Sequence, residues 1–140
     1  MSRELSREFF IELSKDLQNG NWKTMLSCMS RPLIIYLNGV PVVLDSDAQI
    51  INIFEEYQCV MVGRGVGRVD VEIVEVVQKP DRAACYLIRK SYFSESGENI
   101  GHAKLRYYIR AENDAPKVEM IEYLENTLLE GIVGKFLAYA

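Results

Sequence analysis

An arginine and two tyrosines, Arg89, Tyr107 and Tyr123, sit within strand-like runs of alternating apolar residues, and they are the groups best suited to chemistry in this chain of 140 residues. A guanidinium holds an anion and a phenol donates to an oxygen gaining charge, so the set suits binding or polarisation of a small molecule. With the apolar alternates turned inward, the inner set reads Cys85, Leu87, Arg89, Ser91 and Phe93 on one strand and Ala103, Leu105, Tyr107 and Ile109 on the next. An inward guanidinium in an apolar cavity needs a partner, either an anionic ligand group or a protein carboxylate at the mouth such as Glu55 or Glu56. Phe54, Tyr57 and Trp22 supply walls. For the tyrosines the alternative is a core role with one hydrogen bond satisfied.

Other chemistries find little support. His102 is the only histidine and alternates with Lys104 and Arg106, which marks a surface or interface residue and leaves no histidine pair for a metal or a relay. No spacing of Cys, His, Asp or Glu suits metal ligation, and no cofactor is implied. Gly63-Arg64-Gly65-Val66-Gly67-Arg68 follows a helical pattern, whereas a dinucleotide fingerprint follows a strand and opens a helix, so this run reads as a helix stop and connection. Cys28, Cys59 and Cys85 are odd in number and lie in apolar segments, which implies a reducing compartment. With no secretory pattern in Met1-Ser2-Arg3-Glu4-Leu5 and no apolar run of bilayer length, the expectation is a cytoplasmic protein. The formal net charge of -4 and pI near 5.1 argue against nucleic acid as a partner.

The elements that would position these groups follow from periodicity. Apolar residues make up 49% of the chain and charged residues 26%, enough for one self-sufficient core. Leu5, Phe9, Phe10, Leu13 and Leu17 recur at helical spacing and stop at Asn19-Gly20. Asn21 is placed to cap a short helix bearing Trp22, Met25, Leu26 and Met29, which Arg31-Pro32 ends. Leu33 to Leu37 and Val40 to Leu44 flank Asn38-Gly39 as a hairpin. Ser46 and Gln49 form a capping box for a third helix carrying Ile50, Ile53, Phe54, Tyr57 and Met61. Beyond Arg68 the period becomes two, and four antiparallel strands follow, separated at Lys79-Pro80-Asp81, Ser96-Gly97-Glu98-Asn99 and Asn113-Asp114-Ala115-Pro116. A final helix is read from Thr127, with Leu128, Leu129, Ile132, Val133, Phe136 and Leu137 on one face, docked on its own domain or on a sister subunit. The division is one domain over 1–125 and this helix over 126–140.

With helix, Asn19-Gly20-Asn21-Trp22, short helix, Leu33 to Gly39, third helix and long strands in that order, the chain resembles the nuclear transport factor 2-like superfamily, in the branch of ketosteroid isomerase and the polyketide-cyclase-like proteins. The resemblance implies an α+β fold in which a cone-shaped, curved antiparallel sheet is closed by three N-terminal helices. It also implies dimerisation and an apolar ligand held in the cone. The isomerase works with a carboxylate base, a tyrosine and a protonated acid, and the matching positions here are Leu37, Leu13 and Leu105. A hydrocarbon neither takes a proton nor donates one, so that chemistry is not expected.

Two functional readings emerge. One is a small-molecule-binding protein with its apolar pocket inside the cone, open to a lyase-, isomerase- or cyclase-type step. The other is a non-catalytic dimeric interaction module with a filled cone. In either reading the outer sheet face, read as Tyr86, Ile88, Lys90 and Tyr92 beside Ile100, His102, Lys104, Arg106 and Tyr108, is apolar enough to form a homodimer interface.

Overall fold

A computed structural model describes residues 5–37, 39–80 and 83–128. Helix α1 spans Arg7–Asn19, and Gly20 closes it at φ 72°, a left-handed conformation that costs glycine no steric penalty. Helix α2 spans Trp22–Leu26. Its N-cap Asn21 makes no capping bond, contrary to expectation; the amide turns back to the Asp16 carboxylate at 3.4 Å. Strands β1 (Met29–Leu37) and β2 (Val40–Leu44) form the hairpin around Gly39. Arg31-Pro32 therefore lies inside β1 and not at the end of α2, and its peptide bond is cis. Helix α3 covers Asp47–Gly63 behind the expected capping box of Ser46 and Gln49. Four long strands follow: β3 (Val66–Gln78), β4 (Ala83–Ser94), β5 (Asn99–Glu112) and β6 (Ala115–Asn126).

All six strands make one curved sheet in the order β2-β1-β6-β5-β4-β3. Neighbours run antiparallel except β1 and β6, which pair in parallel across a long connection that contains α3 and four strands. The three helices cover the concave face. Phe10, Leu13 and Leu17 of α1, Met25 of α2 and Ile50, Ile53, Phe54 and Tyr57 of α3 meet Leu33, Ile35, Ile88, Leu105 and Ile121 of the sheet in one buried cluster. Each such side chain contributes roughly 1.5–3 kcal/mol on burial, which outweighs the weak intrinsic helix preference of so short a segment as α2. Polar ties fix the helices on the strands and on each other: Arg7 Nε donates to the Val71 carbonyl at 2.6 Å, and Gln58 Nε2 of α3 to the Gln18 carbonyl of α1 at 3.1 Å.

Beyond β6, Thr127 and Leu128 form a turn in which Thr127 Oγ1 accepts from the His102 amide at 2.9 Å. A Cβ on Gly101 would stand 2.8 Å from that oxygen, so a larger residue there would displace the Thr127 hydroxyl from its bond. Strand β6 runs to Asn126, one residue past the boundary drawn at 125, and the final helix beyond Leu128 lies outside the described residues. No helix among the described residues is long and apolar enough to cross a membrane.

Candidate functional site

The face of β4 that lies under the helices is the opposite of the one read from alternation. Tyr86, Ile88, Lys90 and Tyr92 are buried, while Arg89 is exposed. The physical reason is a bulge beside the β4–β5 turn. Phe93 stands opposite Asn99, but Tyr92 stands opposite Gly101, so Ile100 is an extra residue. Continued without that residue, the pairing would set Arg89 against Ala103 on the inner face. With it, Lys90 takes that place and every β4 side chain changes sides. The same correction moves Tyr86, Ile88, Lys90 and Tyr92 off the outer face, where Cys85, Leu87, Arg89, Ser91 and Phe93 now stand.

Arg89 meets neither Glu55 nor Glu56. It pairs with Glu72 on the neighbouring edge strand at 3.5 Å and, with Arg7, Asp70 and Ser91, lines an open cleft of about 290 Å³. A second concavity, of about 380 Å³, lies between α1 and α2 beside Phe9, Leu13 and Cys28. The other pocket candidates keep to the helix-covered side. Tyr107 and Phe54 are buried, Tyr57 projects from α3, Tyr123 is half-buried on β6, and Trp22, at the start of α2, is partly buried against the core. Leu13, Leu37 and Leu105 are all buried core residues.

Inside the cone the tyrosines form a cluster. The hydroxyls of Tyr57 and Tyr92 hydrogen-bond to each other, and Asn126 Nδ2 donates to Tyr57 Oη at 3.3 Å. The rings of Tyr57 and Tyr123 lie 6.4 Å apart, and Phe10 packs 5.4 Å from Tyr107. Burial pushes all four phenols, Tyr57, Tyr92, Tyr107 and Tyr123, above their ordinary pKa, because a phenolate would lose its hydration there. They are neutral donors throughout the physiological range.

Lys90 is the one charged side chain buried among the described residues, at 4% exposure. Its Nζ lies over the Tyr107 ring, 5.9 Å from the centroid, with no ion pair or hydrogen bond to a described residue. Desolvation alone lowers its pKa from 10.5 to about 8. No enclosed side-chain nitrogen or oxygen among the described residues lacks a hydrogen-bond partner. Lys90 Nζ, Tyr107 Oη and Tyr123 Oη have none among those residues, so none of the three tips is fully enclosed. Sequence reading missed Lys90 because it followed β4 by one strand's pattern alone. The unambiguous alternation of β5, carried across a hairpin with a bulge, is the signal that would have found it.

The outer face differs in kind. His102 Nε2 pairs with Glu125 at 2.5 Å, Arg106 with Glu122 at 3.1 Å and Arg110 with Glu119 at 2.6 Å. The hydrogen bond from His102 holds the Glu125 carboxyl below its usual range. Burial raises Cys28 and Cys85 and keeps them thiols. No group of three or more metal-ligating side chains occurs among the described residues.

A cone of this topology, with helices over a curved sheet, defines the NTF2-like class of α+β proteins. The family model described as NTF2-like protein (DUF6841) matches residues 3–122, and the chain belongs to that family. Among solved structures, it is similar to a domain of unknown function with a cystatin-like fold from Nostoc punctiforme, with 14% identity and a TM-score of 0.64 over 94% of this chain and 80% of that one. It is similar to Aln2 from a Streptomyces species, with 11% identity and a TM-score of 0.61 over 83% of this chain and 84% of that one. An NTF-2 like protein of unknown function from Shewanella oneidensis aligns with 12% identity and a TM-score of 0.58, over 81% of this chain and 94% of that one. At these identities the likeness establishes the fold. No curated protein matches the chain.

Proposed function

We propose that this protein binds a small, mainly apolar molecule inside the cone, its oxygen-bearing end turned toward Lys90, Tyr107 and Tyr123. The observation that supports the reading is the set of three polar tips, without partners among the described residues, on the helix-covered side of an otherwise apolar sheet. A ligand carbonyl or carboxylate would satisfy them together, since each can donate. Neutral phenols beside a cation polarise a carbonyl, which suits a lyase-, isomerase- or cyclase-type step better than attack by an activated nucleophile such as a thiolate. Native mass spectrometry of the purified protein tests the reading by a co-purified small molecule. Tyr107→Phe supplies the control: it should weaken retention of that molecule while leaving folding stability almost unchanged. Full retention by Tyr107→Phe and Lys90→Met would sink the assignment.

A second reading, a homodimer joined through the outer sheet face, draws on one row of side chains. Val43, Ile34, Met120, Tyr108, Cys85 and Val77 are successive cross-strand neighbours over all six strands. This apolar band crosses a face otherwise occupied by ion pairs, and interfaces favour that arrangement. Sedimentation should give twice the chain mass, and Met120→Glu should reduce it to one. The three free thiols suit a reducing, cytoplasmic setting.

A further inference from the structure

Resting on the cone as a ligand chamber, we propose that the Lys90 ε-amine condenses with the carbonyl carbon of a small apolar aldehyde or ketone and holds it as an imine. The place of Lys90 in the fold carries the idea. Its stem rises from the centre of β4 between Val71 of β3 and Ala103 of β5, both buried. Alanine on one side leaves room beside the stem, and the nitrogen is directed over the Tyr107 ring with no carboxylate among the described residues to hold it as an ammonium. A lysine buried for structural reasons would be expected to find such a partner, because an unpaired charge under a helical layer is costly. A lysine meant to react benefits from lacking one, since only the neutral amine has a lone pair to give. The lowered pKa of Lys90 agrees: near pH 8 about half the amine is neutral.

The step balances without an oxidant or reductant. The amine lone pair forms a bond to the carbonyl carbon while the carbon–oxygen π pair moves to oxygen, which takes up a proton and gives a carbinolamine. The nitrogen lone pair then closes the carbon–nitrogen double bond as the hydroxyl takes up a second proton and leaves as water. The two protons that the nitrogen gives up match the two that the oxygen gains, so the neutral imine and one water are the net products. The Tyr107 and Tyr123 hydroxyls, neutral and without partners among the described residues, are the donors placed to meet the carbonyl oxygen as it gains charge. Their phenols are weak acids here, so they donate hydrogen bonds and do not ionise. The surrounding Phe10, Ile88 and Leu105 would hold an apolar body against the ring of Tyr107.

The full chain is incubated with naphthaldehyde at pH 8, reduced with sodium cyanoborohydride, and read by intact mass and peptide mapping. Naphthylmethanol, of similar shape but without a carbonyl, is assayed in parallel by thermal shift. Lys90 should be labelled about tenfold or more faster than any other lysine, and pre-incubation with the alcohol should slow the labelling. Lys90→Arg, which keeps the cation but not this reactivity, should lose the fast phase. Labelling spread evenly over the lysines, or a fast phase that survives Lys90→Arg, would overturn the proposal. If the alcohol raises the melting temperature but no fast label reaches Lys90, the chamber stands and imine formation falls. If neither occurs, both fall. Mapping on the unaltered protein decides the matter even where a variant does not fold.

Discussion

On the outer face of the sheet, Arg89, Arg106, Arg110 and His102 each have a glutamate within 3.5 Å; on the inner face Lys90 has none among the described residues. The two faces share the same strands, residue by residue, and differ in their solvent. Outside, water would solvate an unpaired arginine at little cost, yet every one of these arginines is paired. Inside, where pairing matters most, the cation stands alone above an aromatic ring. Paired surface charges of this kind contribute little to stability. An unpaired buried charge opposes folding, so its presence points to a role other than holding the sheet together.

That contrast can be broken most sharply at Lys90. Because its folded pKa is about 8 against 10.5 in water, the unfolded chain binds more protons between those values, and stability rises with pH across that window. Below pH 8 the full penalty is present. The difference, 10.5 less 8, corresponds to about 3 kcal/mol. Lys90→Met should therefore stabilise the protein by up to about 3 kcal/mol near pH 7, with the gain shrinking above pH 8, as measured by urea unfolding at several pH values. A destabilised variant at pH 7 would mean that Lys90 has a partner in solution. The buried tyrosines carry the opposite sign. Their raised pKa values make the folded state lose stability as pH climbs past 10, so the measurement belongs below that point.

The next contrast lies within the tyrosine cluster. Tyr57→Phe removes the hydroxyl bonded to Tyr92 and Asn126 and should cost about 1–2 kcal/mol in the same assay, because the buried Tyr92 hydroxyl and the half-buried Asn126 amide lose their partner. Tyr107→Phe deletes a hydroxyl with no partner among the described residues and should be close to neutral. Equal costs for the two would mean that Tyr107 is bonded after all.

The smallest effect is expected outside. Arg106→Met breaks the Glu122 pair at 3.1 Å but should cost under about 1 kcal/mol, less still at high salt, since both side chains are about a third or more exposed. A cost as large as that of Tyr57→Phe would place the outer ion pairs among the elements that hold the sheet.

Much of the fold is legible along the chain. The stop at Asn19-Gly20, the capping box at Ser46 and Gln49, the Gly39 hairpin and the alternation of Ala103, Leu105, Tyr107 and Ile109 are local signals, and each matches the structure. Tyr107 and Tyr57 could be placed under the helices for the same reason. Lys90 could not. On β4 both alternate sets contain bulky apolar residues, so the period of two is present but its phase is undetermined. The Asn21 side chain likewise had two partners within reach, the helix amides and Asp16, and only the folded chain chooses between them.

What the sequence settles by itself is the order and type of the elements, because helix stops, caps and hydrophobic period depend on residues only a few places apart. What the tertiary structure alone decides is which side of β4 lies beneath the helices. That depends on one extra residue, Ile100, in the pairing with β5 and on the joint burial of strands far apart in the chain. A single bulge therefore turns Arg89 to the outside and puts Lys90 within the cone.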